Sequence, residues 1–196
     1  MSKTLMLLEP CHEGIILKVT QDQRQELADF YRRIEQRAYR MVMIETRHSG
    51  DAMDLVQDAM ESLMKSYVNK PTEEWRPLFY RILQNKIKDW HRWGSVRAKF
   101  HFSKPEQENG EDWLESQVES FQPTPEKNLQ GEISMKHLQY ALSQLSLRQR
   151  QTFLLRVWEG FSVNETADIM KCSSGSVKTH LSRALKSLQN LLEVAS

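Results

Sequence analysis

Ser174, Ser176, Lys178, Thr179, Ser182, Arg183 and Lys186, with His180 beside them, crowd into residues 174–186. Small hydroxyls let a backbone come close to phosphates, and Lys and Arg bond guanine edges or neutralise phosphate charge. The chemistry on offer is recognition of nucleic acid. Bond-making chemistry is poorly provided for: the sequence has no nucleophile elbow, no phosphate-cradling glycine loop and no His set at metal-ligand spacing. Its two cysteines, Cys11 and Cys172, are too isolated for a CxxC metal site or a disulfide framework. The expectation is a non-enzyme without metal or cofactor, in which each cysteine is a small buried or half-buried residue.

That basic face needs a particular scaffold. Ser162 and Glu165 form a capping-box pair that opens a short helix, Val163 to Met170. After the turn Lys171-Cys172-Ser173, a last helix carries the apolar stripe Val177, Leu181, Ala184, Leu185, Leu188, Leu191 and Leu192. Two helices joined by a tight turn are a helix-turn-helix, whose second helix enters the major groove. Ahead of it, Ile133, Leu138, Ala141, Leu142 and Leu145 form one helical pattern, and Phe153, Leu154 and Val157 a second that Gly160 ends.

The N-terminal half is also helical. Leu27, Phe30, Tyr31, Ile34, Ala38, Met41 and Val42 recur at helical spacing. A second helix beginning near Asp51 sets Ala52, Leu55, Val56, Ala59, Met60, Leu63 and Tyr67 on one face and acids on the other. Asn69-Lys70-Pro71-Thr72 breaks it, and Pro77 suits the first turn of a third helix running to about Trp93. Phe79, Ile82, Leu83, Ile87 and Trp90 make its expected buried side, leaving Tyr80, Arg81, Gln84, Asn85, Lys88, His91 and Arg92 outward or toward a groove. The residue types predict half-buried or core packing for Trp75, Trp90 and Trp93, with Trp93, near the helix end, able to go either way.

The 196 residues carry 27 Lys and Arg against 26 Asp and Glu, with 7 Gly and 6 Pro, a foldable composition for one domain or two small ones. Charge alternates by segment: residues 1–75 hold 10 basic and 13 acidic groups, 76–100 hold 7 and 1, 101–130 hold 2 and 7, and 131–196 hold 8 and 5. Two basic blocks flanking an acidic connector are the footprint of a nucleic-acid binder. Periodicity fades over 101–130, where Pro105, Gly110, Pro123 and Pro125 punctuate an acidic stretch that nonetheless contains Trp113, Leu114, Val118 and Phe121. No apolar run approaches the roughly 18 residues of a membrane-spanning helix, and the first 20 residues lack a signal-peptide core. A cytoplasmic protein without membrane insertion is expected. The fold expected is all-α: an N-terminal extension (1–20), a helical bundle (21–100), a flexible acidic linker (101–130) and a helix-turn-helix domain (131–196).

LSLRQRQTFLLRVWEGFSVNETADIMKCSSGSVKTHLSRALKSL, residues 145–188, resembles region 4 of the sigma-70 family of bacterial RNA polymerase sigma factors. The helix-turn-helix of LuxR-type regulators is similar, so this block leaves a stand-alone LuxR-type transcriptional regulator as the alternative. DAMDLVQDAMESL (51–63) resembles the polymerase-binding helix of sigma region 2, and WRPLFYRILQNKIKDWHRW (75–93) its promoter-melting helix, although the usual helix carries Trp where this chain has Leu78. The order and the lack of room for region 1 or a folded region 3 point to the minimal, extracytoplasmic-function (ECF) type.

The resemblance implies a non-catalytic specificity subunit, monomeric when free, that binds core RNA polymerase and directs recognition and melting of promoter DNA. Asp51, Asp54, Leu55, Gln57, Asp58 and Glu61 would dock on the beta-prime clamp helices, and region 4 on the beta flap. Asp54 and Asp58, one turn apart, repel by a few tenths of a kcal/mol, which a cationic partner would relieve. Tyr80, Arg81, Asn85, Lys88 and Arg92 would bind the downstream (−10) element, with the loop 69–74 cradling a flipped base. Ser174, Ser176, Lys178, Thr179, Ser182 and Arg183 would bind the upstream (−35) element, and the acidic linker would thread the polymerase active-site and RNA-exit region. An anti-sigma factor is implied as a further partner. An adaptor using these helices for protein contact alone is a reading of another class.

Overall fold

The computed structural model describes residues 20–100 and 138–193, with side chains described for 20–94 and 138–192. Residues 1–19 of the N-terminal extension, the acidic linker, Cys11, Ile133 and the apolar residues Trp113, Leu114, Val118 and Phe121 lie outside the described residues. All regular structure among the described residues is helical, and the chain divides into two units, 1–101 and 102–196.

The first unit is built on α1 (Gln21–Thr46), α2 (Ser49–Tyr67) and α3 (Thr72–Phe100). Thr20 opens α1 with a capping box: Gln23 donates its backbone N–H to Thr20 Oγ1, while Thr20 N–H donates to Gln23 Oε1 at 3.0 Å. Every apolar residue expected on the inner face of α1 is buried, and the stripe runs one turn further, through Ile44 and Glu45. Arg47, at φ 54°, then ends the helix in the left-handed conformation and returns its N–H to Met43 O. α2 starts at Ser49, two residues before the expected Asp51, and His48 caps it by accepting the Asp51 N–H on Nδ1 at 3.1 Å. Leu55 and Tyr67, expected in the apolar face of α2, are only half-buried.

The Phe30 ring meets Trp75 and Phe79 at 5.7 and 6.2 Å, both edge-on, the arrangement that aromatic quadrupoles favour. Trp75 is sealed in this core and donates its indole N–H to Tyr67 O at 3.1 Å, stitching the end of α2 to the start of α3. Pro77 therefore sits inside α3, whose first turn is Thr72-Glu73-Glu74 and not the turn containing the proline.

In the second unit, helical residues 138–144 precede α4 (Leu147–Phe153), which passes into a π-helical turn (Leu154–Trp158), then α5 (Val163–Met170) and α6 (Ser174–Glu193). Glu159 N–H reaches back five residues to Leu154 O at 2.9 Å, a wider ring than the α-helical one. The 3.6-residue pattern Phe153, Leu154, Val157 fails here: Leu154 and Leu155 are buried, whereas Val157 is 55% exposed. The extra residue in the wide turn rotates Val157 outward. Gly160, at φ 75°, closes the segment.

Candidate functional site

The capping box that opens α5 is formed as its sequence implies, with Ser162 N–H donating to Glu165 Oε2 at 2.7 Å and Glu165 N–H to Ser162 Oγ at 3.2 Å. Lys171, at φ 52°, makes the turn, and Ser173 caps α6 by accepting the Ser176 N–H on its hydroxyl at 3.1 Å. Arg148 donates to Met170 O at 3.1 Å, tying the base of α4 to the carbonyl end of α5. Neither Ser173 nor Arg148 was singled out in the sequence. The Ser-x-x-Ser spacing just before α6 was the available signal for the first, and nothing local marks the second.

Val177, Ala184 and Leu188 anchor α6 in the core, with Leu181, Leu191 and Leu192 half-buried. Leu185, expected in that stripe, is 48% exposed, because it lies about 100° round the helix from Ala184. The opposite face presents Ser174, Lys178, Thr179, Ser182, Arg183 and Lys186 to solvent, with Ser176 and His180 part-exposed. Lys178, Arg183 and Lys186 have no ion-pair partner among the described residues, and the only acid of α6 is its last residue, Glu193. The hydroxyls of Ser176 and Thr179 are already bonded, to Ser173 Oγ at 2.9 Å and Gly175 O at 3.0 Å, so Thr179 has spent its one donor.

On α3, Arg81, Asn85, Lys88 and Arg92 stand at i, i+4, i+7 and i+11 and form one row about 16 Å long. Arg92 is exposed and the other three part-exposed, and Arg92 pairs with Asp89 at 3.2 Å. Tyr80 does not belong to this row. It is 0% exposed, its ring edge-on to Phe79 at 5.3 Å, because residue 80 falls on the flank that α3 turns to its neighbours. Gln84 and His91 share that flank: Gln84 is buried with its amide 3.3 Å from Met41 Sδ, and His91 Nε2 is 3.0 Å from Glu45 Oε2. The expectation that Tyr80 and Gln84 face outward or toward a groove is corrected, whereas His91 stays part-exposed while it reaches Glu45. The loop expected over 69–74 is corrected too, since residues 72–74 are the first turn of α3. Ile82, in turn, is only half-buried. Trp93 is 56% exposed, with the Arg92 guanidinium 5.8 Å from its ring centroid.

The acidic residues of α2 differ in how they are engaged. Asp54 is exposed and has no hydrogen-bond or ion-pair partner among the described residues; Asp58 is exposed and 3.2 Å from Lys86. Leu55, Gln57 and Glu61 are part-exposed, and Glu61 pairs with Lys65 along the helix. Asp51 is part-exposed and accepts the Trp90 indole N–H at 3.0 Å. Among the described residues no cluster of three His, Cys, Asp or Glu could hold a metal, and no helix is long and apolar enough to cross a membrane.

Residues 136–188 match the family Sigma-70, region 4. The chain is 28% identical over 145 residues to the RNA polymerase sigma factor NccH of Alcaligenes xylosoxydans xylosoxydans, covering 74% of each. It is 28% identical over 166 residues to the ECF RNA polymerase sigma factor SigM of Mycobacterium tuberculosis, covering 83% of this chain and 74% of that one. Its fold is similar to that of the sigma factor RpoE of Bartonella quintana, solved in complex with the anti-sigma factor NepR: the TM-score is 0.61 at 20% identity, over 86% of this chain and 99% of that one.

Proposed function

We infer that this chain, a member of the sigma-70 family of the ECF type, is a sigma factor that binds core RNA polymerase and directs promoter recognition and melting. The observation that carries this reading is the presence in one chain of two separate cationic helix faces, on α3 and α6, together with sigma-factor relatives that align over about three-quarters of it. A stand-alone regulator accounts for the helix-turn-helix and leaves the α1–α3 unit without a purpose.

In this reading the face of α2 around Asp54 and Asp58, with Leu55, Gln57 and Glu61, docks on the beta-prime clamp helices, and the second unit reaches the beta flap. Asp54 suits that role because, among the described residues, its charge is uncompensated and a cationic partner would relieve its repulsion with Asp58. Arg81, Asn85, Lys88 and Arg92 hold the −10 element. Opening a duplex costs a few kcal/mol per extruded base, and stacking returns about 1 to 3 kcal/mol per base. Trp93, exposed beside Arg92, offers such a surface at the end of the row. Lys178, Ser182 and Arg183, with Ser174, Ser176 and Thr179, read the −35 element. Ser176 and Thr179 contribute shape and the Thr179 methyl more than donors. The protein catalyses nothing itself, acts as a monomer in the cytoplasm where polymerase is, and is restrained by an anti-sigma factor that covers its polymerase-binding face.

Run-off transcription from genomic promoter fragments, with purified core polymerase and with or without the chain, tests the reading. Initiation that depends on the chain and fails for the Asp54→Lys, Asp58→Lys double variant is expected. Tight, specific binding of duplex DNA by the free chain with no transcription would overturn it. The anti-sigma factor is tested by co-purification at native expression; recovery of polymerase with no small inhibitor under any growth condition counts against it.

A further inference from the structure

Two adjacent residues of α3 are tied to two different helices. Trp90 donates its indole N–H to Asp51 Oδ2 on α2 at 3.0 Å, and His91 Nε2 lies 3.0 Å from Glu45 Oε2 on α1. The Glu45 side chain is only 1% exposed, so its carboxylate needs polar partners, of which His91 is one. The Trp90 and His91 rings meet edge-on at 5.0 Å, so the two contacts form one assembly. The backbone of Asp51 is itself held, since its N–H donates to His48 Nδ1 at 3.1 Å.

Consecutive helical residues point about 100° apart. One bond to a neighbouring helix sets a distance, whereas two bonds in directions so far apart also set the rotation of the helix about its own axis. Lys88 and Arg92 flank this pair in sequence and lie on the outward row. Trp90 and His91 therefore fix their direction at this end of the helix, beyond the last buried core residue, Ile87.

We propose that Asp51 is a positioning residue and not a polymerase contact: by accepting the Trp90 indole N–H it fixes the rotation of α3, and thereby aims Lys88 and Arg92 at promoter DNA. The proposal rests on the sigma-factor reading for what α3 is aimed at. It divides the α2 acids by task, with Asp54 and Asp58 for polymerase and Asp51 for the promoter face. Asp51 Oδ2 is occupied by the Trp90 indole, while Asp54 stands clear.

The test compares Asp51→Ala, Asp51→Asn, Trp90→Phe and the Asp51→Ala, Trp90→Phe double variant in the full chain. Affinity for core polymerase is read by competition binding, and promoter opening by permanganate reactivity of unpaired thymines at saturating holoenzyme. Expected are core affinities within about twofold of the parent, and opening reduced about tenfold by Asp51→Ala and by Trp90→Phe, with the double variant no worse than either. Asp51→Asn keeps an acceptor oxygen and restores opening, a rescue that loss of charge or general damage to the fold would not show. Equal loss of core affinity in Asp51→Ala and Asp51→Asn, with Trp90→Phe opening normally, would overturn the proposal. The free chain gives a reading independent of transcription. A Trp90 indole proton protected from exchange, with amide shifts over 88–92 in Trp90→Phe, upholds the clamp even if no promoter is transcribed; exchange as fast as that of Trp93 overturns it.

Discussion

Tyr80 and Asn85 are five residues apart on α3, and substitutions at the two should fail in different ways. Tyr80→Ala empties a fully buried site against Phe79 and should cost about 3–5 kcal/mol of stability, read as a lower urea midpoint. Asn85→Ala, on the part-exposed row, should leave that midpoint nearly unchanged and weaken −10 recognition, read by promoter opening. Tyr31 carries a pH prediction. Burial pushes its phenol above the usual 10.0, and its hydroxyl donates to Met60 O. The folded chain thus keeps this proton when the unfolded chain loses it. The resulting stability is intact below about pH 10 and is lost as pH climbs toward the folded value. Tyr31→Phe should flatten that alkaline loss in a denaturant-versus-pH series, while lowering stability at neutral pH through the lost hydrogen bond.

At the scale of elements, Gly160 is the position where the chain after the π turn must bend through φ 75°. No atom beyond its two chain neighbours lies within 4 Å of where its Cβ would stand, so Gly160→Ala meets only the backbone penalty, about 1–2 kcal/mol, seen as a lower melting temperature. Gly160 was legible as a helix end because glycine is the usual residue for positive φ. The wide turn before it was not, since period counting assumes 3.6 residues per turn and Val157 obeys that count in sequence but not in space. Helices with a one-sided apolar stripe were the most legible: all seven inner residues named on α1 are buried. α3 is less legible because it packs on two neighbours. Gln84 and His91 are polar enough to look like surface, yet they reach the second of those neighbours, and Tyr80 is sealed in the core. Glu45 continues the Ala38, Met41, Val42 stripe and is legible as a buried acid in need of partners, one of which is His91.

For the whole molecule, the segmental charge makes salt the natural variable. Holoenzyme binding to a −35 duplex should weaken with added salt, and Lys178→Ala should reduce the slope of log K against log salt by about one, evenly across sequences. Arg183→Ala should instead cost about 1–3 kcal/mol at one base pair and relax discrimination there, provided the guanidinium is bidentate to guanine. A promoter panel at two salt concentrations separates these outcomes. The placement of the indoles has an optical consequence: Trp93 stands more than half in water, while Trp75 is sealed inside the core of the same unit. Iodide, which quenches on collision, reaches the first and not the second. Shielding of Trp93 by a stacked base dims that access without changing the blue emission of the sealed indole, whereas unfolding opens both. These two are the extremes among the described indoles of a chain with five, so an iodide titration of the unlabelled protein shows the quenchable fraction falling when DNA is held and rising when the shape is lost.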